Sequence, residues 1–123
     1  MDQAPIFVDD VDRLAFLRLL HDVVARRRWT CHAFCLMGTH YHLVVETELR
    51  QLSTGLHRLN GVYAQLFNRR HRRTGHLFGD RFHAWLVTDE QHLQATCAYV
   101  LENPVRAGLC ASADRWPWSG LAR

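Results

Sequence analysis

The stretch Cys31–Glu46, CHAFCLMGTHYHLVVE, contains the clearest strand-like pattern of this chain. Cys31–Met37 is a short apolar run that is compatible with a β-strand, and His40–Glu46 is a second run of the same kind. Gly38 and Thr39 separate the two runs. Because a glycine turn between two strand-like runs is typical of paired antiparallel strands, the sequence predicts a β-hairpin here.

An amphipathic helix is predicted on each side of the hairpin. Val11–Arg28 repeats leucine and valine every three or four residues, with acidic residues at its start and arginines at its end, as the helix dipole favours. Leu49–His71 has a similar stripe of leucines and one tyrosine, although Gly55 and Gly61 weaken the pattern. The helix–hairpin–helix order indicates strands and helices in one domain.

The second half of the chain predicts one more strand and one more helix. Arg81–Val87 is strand-like, and Thr88–Gln91 has the spacing of a capping box, which opens a helix that runs to Glu102. The helix ends there because the residue before Pro104 avoids helical geometry. The aromatic tail around Trp116–Ser119 is expected to pack on the body. The predicted fold class is therefore α+β, a small antiparallel sheet with helices packed on it.

Length and composition bound the class of protein. The chain has 123 residues, enough for one domain over 1–123 with its own core, and its 48% hydrophobic and 22% charged residues are ordinary for a globular protein. No apolar run is long enough for a membrane span, and no signal peptide is visible. The four cysteines form no C-x-x-C pair, so we interpret them as reduced thiols of a cytoplasmic protein.

The basic residues suggest an acidic partner. All 15 are arginine, the better bidentate binder of phosphate, and the formal net charge is +3. Arginines and aromatic residues interleave between positions 67 and 85, a combination that often holds single-stranded nucleic acid. For the arginines we favour phosphate contact over a solvated helix end. For the aromatic residues burial in the core is the preferred interpretation: Phe67, Phe78, Phe82 and Trp85.

Two histidines flank Tyr41 in the second strand of the hairpin. Side chains alternate between the faces of a strand, so His40 and His42 point the same way and can share one metal ion, while Tyr41 points to the opposite face. A bare H-x-H pattern is a weak signal. Taken alone, it favours two half-exposed histidines on a hairpin.

The third helix has a polar face that carries Tyr99 and Asn103, which are one turn apart. His92 and Thr96 share this face, whereas the opposite side is apolar. The polar face could simply be solvent-exposed, or it could present a phenol nucleophile beside an oxygen ligand. A phenol is almost wholly protonated at pH 7, so such a nucleophile requires a strongly activated electrophile, such as a metal-bound phosphate.

Four segments together resemble the REP-associated tyrosine transposases, bacterial single-tyrosine relatives of the HUH endonucleases. Ala33–Leu43 resembles the histidine hairpin of this family, and Tyr99–Leu109 resembles its catalytic helix and the Asn-Pro-Val exit. The segments between Phe67 and Phe82 resemble the intervening part, and Trp118-Ser119 resembles the closing motif. The resemblance covers about residues 6–120, and the order and spacing of the motifs are highly specific.

The resemblance implies a fold, a reaction and a role for each matched residue. The fold would be the ferredoxin-like sheet of HUH endonucleases. His40, His42 and Asn103 would hold a divalent metal, Mg²⁺ or Mn²⁺, that polarises a phosphate of single-stranded DNA. Tyr99 would attack this phosphate, leaving a 5′-phosphotyrosine and a free 3′-hydroxyl. The DNA is expected to form hairpins and to contact an arginine set: Arg69, Arg70, Arg72, Arg73 and Arg81.

Two departures from the family pattern leave alternatives open. Gly38-Thr39 stands where the family usually has Pro-Asn, and the chain begins at the Ile6-Phe7 segment, just after the family's usual first strand. We therefore expect N-terminal truncation relative to the family, with an open sheet edge that could support a homodimer. The alternatives are an inactive domesticated or truncated protein that binds DNA hairpins, a zinc-stabilised module using a further histidine, and an RNA-binding protein.

Overall fold

A computed structural model describes residues 4–78 and 83–121 of the chain. Eight elements follow one another along these residues, and three of them are short: a four-residue helix, a 3₁₀ turn and a three-residue strand. In chain order they are α1 (Asp10–Arg26), β1 (Thr30–Leu36), β2 (Tyr41–Glu46), α2 (Leu49–Arg70), α3 (Glu90–Leu101), α4 (Asn103–Arg106), the 3₁₀ turn (Ala113–Arg115) and β3 (Ser119–Leu121).

The three strands form one antiparallel sheet in the order β2-β1-β3. Cys35 in β1 lies opposite His42 in β2 and opposite Ser119 in β3, so the histidine strand is at one edge of the sheet. The register of β1 against β2 shifts between Cys31 and Ala33, which is a β-bulge. The sheet and its packed helices confirm the predicted α+β class.

The sheet separates two hydrophobic cores, because side chains alternate between the faces of each strand. The larger core joins one face to α1 and α2 and includes Phe16, Leu36 and Tyr63, with Tyr41 packed against it. The smaller core joins the other face to α3 through three strand residues, the residue that follows β1 and two helix residues: Ala33, Cys35, Val44, Met37, Cys97 and Val100. Since His40 and His42 alternate with Tyr41, they belong to the face that α3 covers.

One glycine fixes the packing of α2 on α1. The Trp29 indole donates a hydrogen bond to the Gln51 carbonyl oxygen at 2.9 Å, which holds the ring against α2. A Cβ atom at Gly55 would lie 2.8 Å from Cε2 of this indole and 3.0 Å from Cγ1 of Val23. Gly55 therefore allows a close approach that no other residue permits. A Cβ at Gly61 on the same helix would meet nothing within 4 Å.

A buried carboxylate ties the start of α1 to the end of α2. The Asp12 side chain is only 3% exposed and accepts hydrogen bonds from the Val8 backbone N–H at 2.9 Å and from Arg70 at 2.8 Å. Its Oδ2 also lies 2.9 Å from Nε2 of His71. Arg70 makes two further bonds to Asp9, at 2.6 and 2.8 Å, and these bonds lower the pKa of Asp9 to about 2. We call these residues the Asp12 network.

The predicted strand Arg81–Val87 is wrong over the residues that can be compared. Residues 83–88 pair with no strand in the described part of the chain, whereas residues 81 and 82 lie outside it. Without a neighbouring strand, the residue types alone cannot make a β-ladder. Trp85 is 83% exposed, so its expected burial is also wrong, whereas Phe67 is buried and Phe78 packs against the larger core as expected.

The other predicted elements hold, with two changes at the ends. The N-cap residue of α3 is Asp89 and not Thr88. The Asp89 side chain accepts a hydrogen bond from the His92 backbone N–H at 2.7 Å. Asn103 opens α4 instead of following Tyr99 on one continuous helix. The aromatic tail packs on the body as predicted: Trp118 joins the larger core and Trp116 joins the smaller one. The strand β3 was not predicted.

Candidate functional site

The histidine pair lies where the hairpin turn opens onto β2. The ring centres of His40 and His42 are 5.0 Å apart, and the rings are nearly perpendicular, at 85°. Two imidazoles that share one ion hold their ring centres roughly 4.5–5.5 Å apart, since each metal–nitrogen bond is about 2.1 Å long. The pair therefore has the separation that a shared metal ion requires.

The protonation state of the pair also suits a metal. Burial lowers the pKa of His40 and of His42, and the positive charges of His40 and Arg106 lower the pKa of His42 further. A depressed pKa leaves both rings neutral at pH 7, with a free lone pair. The Thr39 hydroxyl lies 3.0 Å from Nδ1 of His40. When Nδ1 donates to this hydroxyl, Nε2 of His40 is left as an acceptor for a metal.

Tyr99 is the one exposed tyrosine of the three in the chain, at 62% exposure. It lies on α3, which is anchored to the sheet by Cys97 and Val100 on its inner side. Tyr41 and Tyr63 face the larger core, and burial raises the pKa of both phenols well above the usual value. Tyr41 donates a hydrogen bond to Asn60 at 2.6 Å, on the sheet face opposite the histidines. Tyr99 is therefore the one tyrosine whose phenol is open to solvent, and it lies on the helix that covers the histidine face.

Arg106 connects Tyr99 with Asn103. Its guanidinium donates to the Asn103 side-chain oxygen at 2.9 Å and to the Tyr99 carbonyl oxygen at 2.6 Å. Its Cζ lies 3.7 Å from the centre of the Tyr99 ring, which is a close cation–π contact. Because its charge also lowers the pKa of His42, Arg106 links the tyrosine side of the site to the histidine side.

The predicted site residues thus fall into two groups on one side of the sheet. His40 and His42 contact each other, and Tyr99 and Asn103 are joined through Arg106. No hydrogen bond joins the two groups within residues 4–78 and 83–121, and there no third His, Cys, Asp or Glu joins the histidine pair. The donor set fits a divalent cation that also draws oxygen ligands from Asn103, from substrate or from water, as Mg²⁺ does.

The structure divides the predicted DNA-contacting arginines into two kinds. Arg69 and Arg72 have exposed side chains at the end of α2. Arg70 belongs to the Asp12 network, and Arg73 donates to the Asn68 side-chain oxygen at 2.9 Å. Arg81 lies outside the described residues. Phosphate contact by this arginine set stays a prediction, in which Arg69 and Arg72 have the most freedom to reach DNA.

Arg106 is the functional candidate that the sequence prediction missed. Its position, three residues after Asn103 and seven after Tyr99, is visible in the sequence. That spacing would have placed it on the same helical side as both residues. The signal was hidden because Pro104 suggested that the helix had ended, whereas the chain continues into α4.

Comparison with known proteins yields a match to a protein family. No helix in the described ranges is long and apolar enough to cross a membrane. The search of curated proteins and the search of solved structures each produced no significant match. The sequence profile of the IS200-like transposases matches residues 2–103, which include the histidine pair, Tyr99 and Asn103. Because this match covers most of the chain and confirms the resemblance to transposases, the chain belongs to the IS200-like transposase family.

Proposed function

We propose that this transposase is a metal-dependent single-strand DNA endonuclease and strand transferase with Tyr99 as its nucleophile. One observation carries the proposal: the histidine pair, with ring centres 5.0 Å apart, and the one exposed tyrosine belong to the same side of the sheet. A phenol near a cation site suits attack on phosphorus, because the phenol is a poor nucleophile without an activated electrophile.

Each residue has a distinct role in the proposed reaction. His40, His42 and Asn103 would hold Mg²⁺ or Mn²⁺, which when bound polarises the scissile phosphate. The Tyr99 oxygen attacks phosphorus and loses its proton to solvent, while the bond from phosphorus to the 3′-oxygen breaks. The 3′-oxygen takes up a proton and leaves as a hydroxyl, and Tyr99 keeps the 5′-phosphate. A later 3′-hydroxyl can reverse the step, so strand joining needs no separate energy source.

The arginines supply the grip on the strand. Arg69 and Arg72 extend from the end of α2 with exposed guanidiniums, which bind phosphate through paired N–H donors. Such contacts carry no base specificity, so they hold any single strand alike. A hairpin-forming strand is the proposed substrate.

The test of the proposal is a covalent adduct. A hairpin-bearing oligonucleotide labelled at its 3′ end transfers its label to the protein when the 5′-phosphate is captured. We expect adducts with the natural sequence and with Tyr41→Phe, and none with Tyr99→Phe, while all three proteins bind the strand equally. Tyr41→Phe is the matched control because it removes a phenol from the opposite face. An adduct that persists in Tyr99→Phe would refute the nucleophile.

Two further results would move the protein to another function. If the natural sequence binds hairpin DNA but forms no adduct with Mn²⁺, the inactive hairpin-binding alternative gains support. If RNA displaces DNA at equal concentration, the arginine set serves RNA instead. A Tm that rises far more with Zn²⁺ than with Mg²⁺ would indicate a structural zinc module, because structural zinc sites contribute directly to folding.

A further inference from the structure

We propose that Arg106 is a positioning residue. In the metal-free protein it holds Tyr99 and Asn103 in place, and it releases Asn103 when a divalent cation binds to the Asn103 side-chain oxygen. This inference rests on the proposed function, since it concerns the same site. Its basis is the contact set of one guanidinium, which reaches the backbone of Tyr99, the ring of Tyr99 and the side chain of Asn103.

The first step concerns the orientation of the Asn103 amide. A guanidinium can only donate hydrogen bonds, so Arg106 can bond only to the oxygen of this amide and not to its nitrogen. The oxygen is held 2.9 Å from Arg106, and the amide nitrogen of Asn103 is buried with no hydrogen-bond partner in the described ranges. Turning the amide over would place a donor against a donor. Arg106 therefore decides which end of Asn103 faces which way.

The second step concerns charge. A divalent cation that uses the Asn103 oxygen would lie beside the guanidinium on the same atom. Two positive groups at such a distance repel strongly, and the repulsion is larger where water is partly excluded. The oxygen can therefore satisfy Arg106 or the cation, and binding of one weakens binding of the other. We call this competition between Arg106 and the cation for the Asn103 oxygen the latch.

The third step concerns Tyr99. The guanidinium lies 3.7 Å from the ring centre and also holds the Tyr99 carbonyl oxygen, so it restrains an otherwise exposed side chain. Movement of the guanidinium away from Asn103 changes its position over the ring. Cation binding at Asn103 thereby changes the restraint on the Tyr99 side chain. Until the cation binds, Arg106 keeps this side chain in one position.

Manganese binding to the DNA-free protein tests the latch without any activity measurement. Titration followed by the EPR signal of free Mn²⁺ should show about tenfold tighter binding in Arg106→Ala, because hydrogen bonds from charged groups are typically of that size or larger. Arg115→Ala, which removes the same charge from the neighbouring 3₁₀ turn, should change the affinity less than twofold.

A double-mutant cycle separates the latch from general charge repulsion. In an Asn103→Ala background, Arg106→Ala should change the Mn²⁺ affinity less than twofold, because the shared oxygen is gone. A tenfold gain that persists in this background would overturn the proposal, since the effect would then be the charge alone. A single Arg106→Ala variant with unchanged affinity would overturn it as well.

Tyrosine ring signals in an NMR spectrum give the second readout. The chain has three tyrosines, so ring-labelled protein shows three sets of signals, and Tyr99→Phe identifies one of them. Arg106→Ala should move only the Tyr99 signal. Saturating Mg²⁺ should move it in the natural sequence but not in Asn103→Ala. If Mg²⁺ moves the signal equally in both proteins, the coupling through Asn103 does not exist.

His42→Ala separates failure of this inference from failure of the proposed function. If His42→Ala binds Mn²⁺ as tightly as the natural sequence, the metal site of the proposed function is wrong. If His42→Ala weakens binding while Arg106→Ala leaves it unchanged, the metal site stands and only the latch is refuted.

Discussion

Two pairs of arginines near the end of α2 should give opposite results when they are removed. Arg69→Ala with Arg72→Ala takes away two exposed side chains, whereas Arg70→Ala with Arg73→Ala takes away two that are bound within the protein. Each double variant lowers the formal net charge from +3 to +1, so the two are matched in charge. Any difference in DNA binding must therefore come from position.

The expected size follows from counterion release. Each phosphate contact to a single strand contributes about 0.7 to the slope of log K against log salt. Losing Arg69 and Arg72 should reduce the slope by about 1.4, so raising the salt from 50 to 200 mM weakens binding about sevenfold less than in the natural sequence. The variant lacking Arg70 and Arg73 should keep its slope but lose thermal stability, because Asp12 loses a partner.

Fluorescence anisotropy with a labelled single strand measures the slopes at several salt concentrations. Circular dichroism at the same temperature shows whether both variants are folded. Equal reductions of the slope in the two folded variants would refute the assignment of Arg70 to the Asp12 network and of Arg73 to its hydrogen bond with Asn68. An unchanged slope in both would mean that none of the four contacts DNA.

Three other outcomes are expected. Mn²⁺-dependent cleavage of a hairpin strand should be lost in each of three variants: His40→Ala, His42→Ala and Asn103→Ala. The loss should be mildest in Asn103→Ala, because water can replace one oxygen ligand. Equal cleavage rates with Mn²⁺ and with EDTA in the natural sequence would contradict this. Since the pKa of both histidines is lowered, metal binding should persist below about pH 6.5 and fall only as further acid protonates the rings; calorimetry from pH 7.5 to 5 measures the midpoint, and one above 6.5 would contradict the burial argument. Gly55→Ala should destabilise the fold by about 2 kcal/mol through overpacking, whereas Gly61→Ala should stabilise it by up to about 1 kcal/mol; thermal melts that show the same sign for both would refute this.

Short-range sequence patterns predicted the elements that depend on neighbouring residues, which are the hairpin and the first two helices. The glycine turn at Gly38 and the apolar runs around it predicted the hairpin, and the periodic leucines predicted α1 and α2. The strand that fills the third place in the sheet is Ser119–Leu121, which is too short for a period of two to be visible. Its partner Cys35 is far away in sequence, and no local pattern indicates such a pairing.

The strand predicted around Trp85 was wrong because a local pattern does not show whether a pairing partner exists. Its residue types favour a strand, but a strand needs a neighbour, and within the described ranges this segment has none. The histidine pair was predictable because alternation along one strand fixes which side chains share a face. Arg106 was not predicted, because its role depends on how the chain continues after Pro104, and a proline does not say whether the next residues form another turn of helix.

The Asp12 network has a consequence for how the chain acquires its structure during synthesis. The partners of Asp12 at positions 70 and 71 follow it by 58 and 59 residues in the chain, so they leave the ribosome well after Asp12 does. Until then α1 carries an unpaired carboxylate that resists burial, which keeps the nascent helix hydrated and its apolar side loosely packed. We therefore expect a chain arrested before Arg70 to remain protease-sensitive, and protection of α1 to appear in one step once the end of α2 emerges from the ribosomal tunnel.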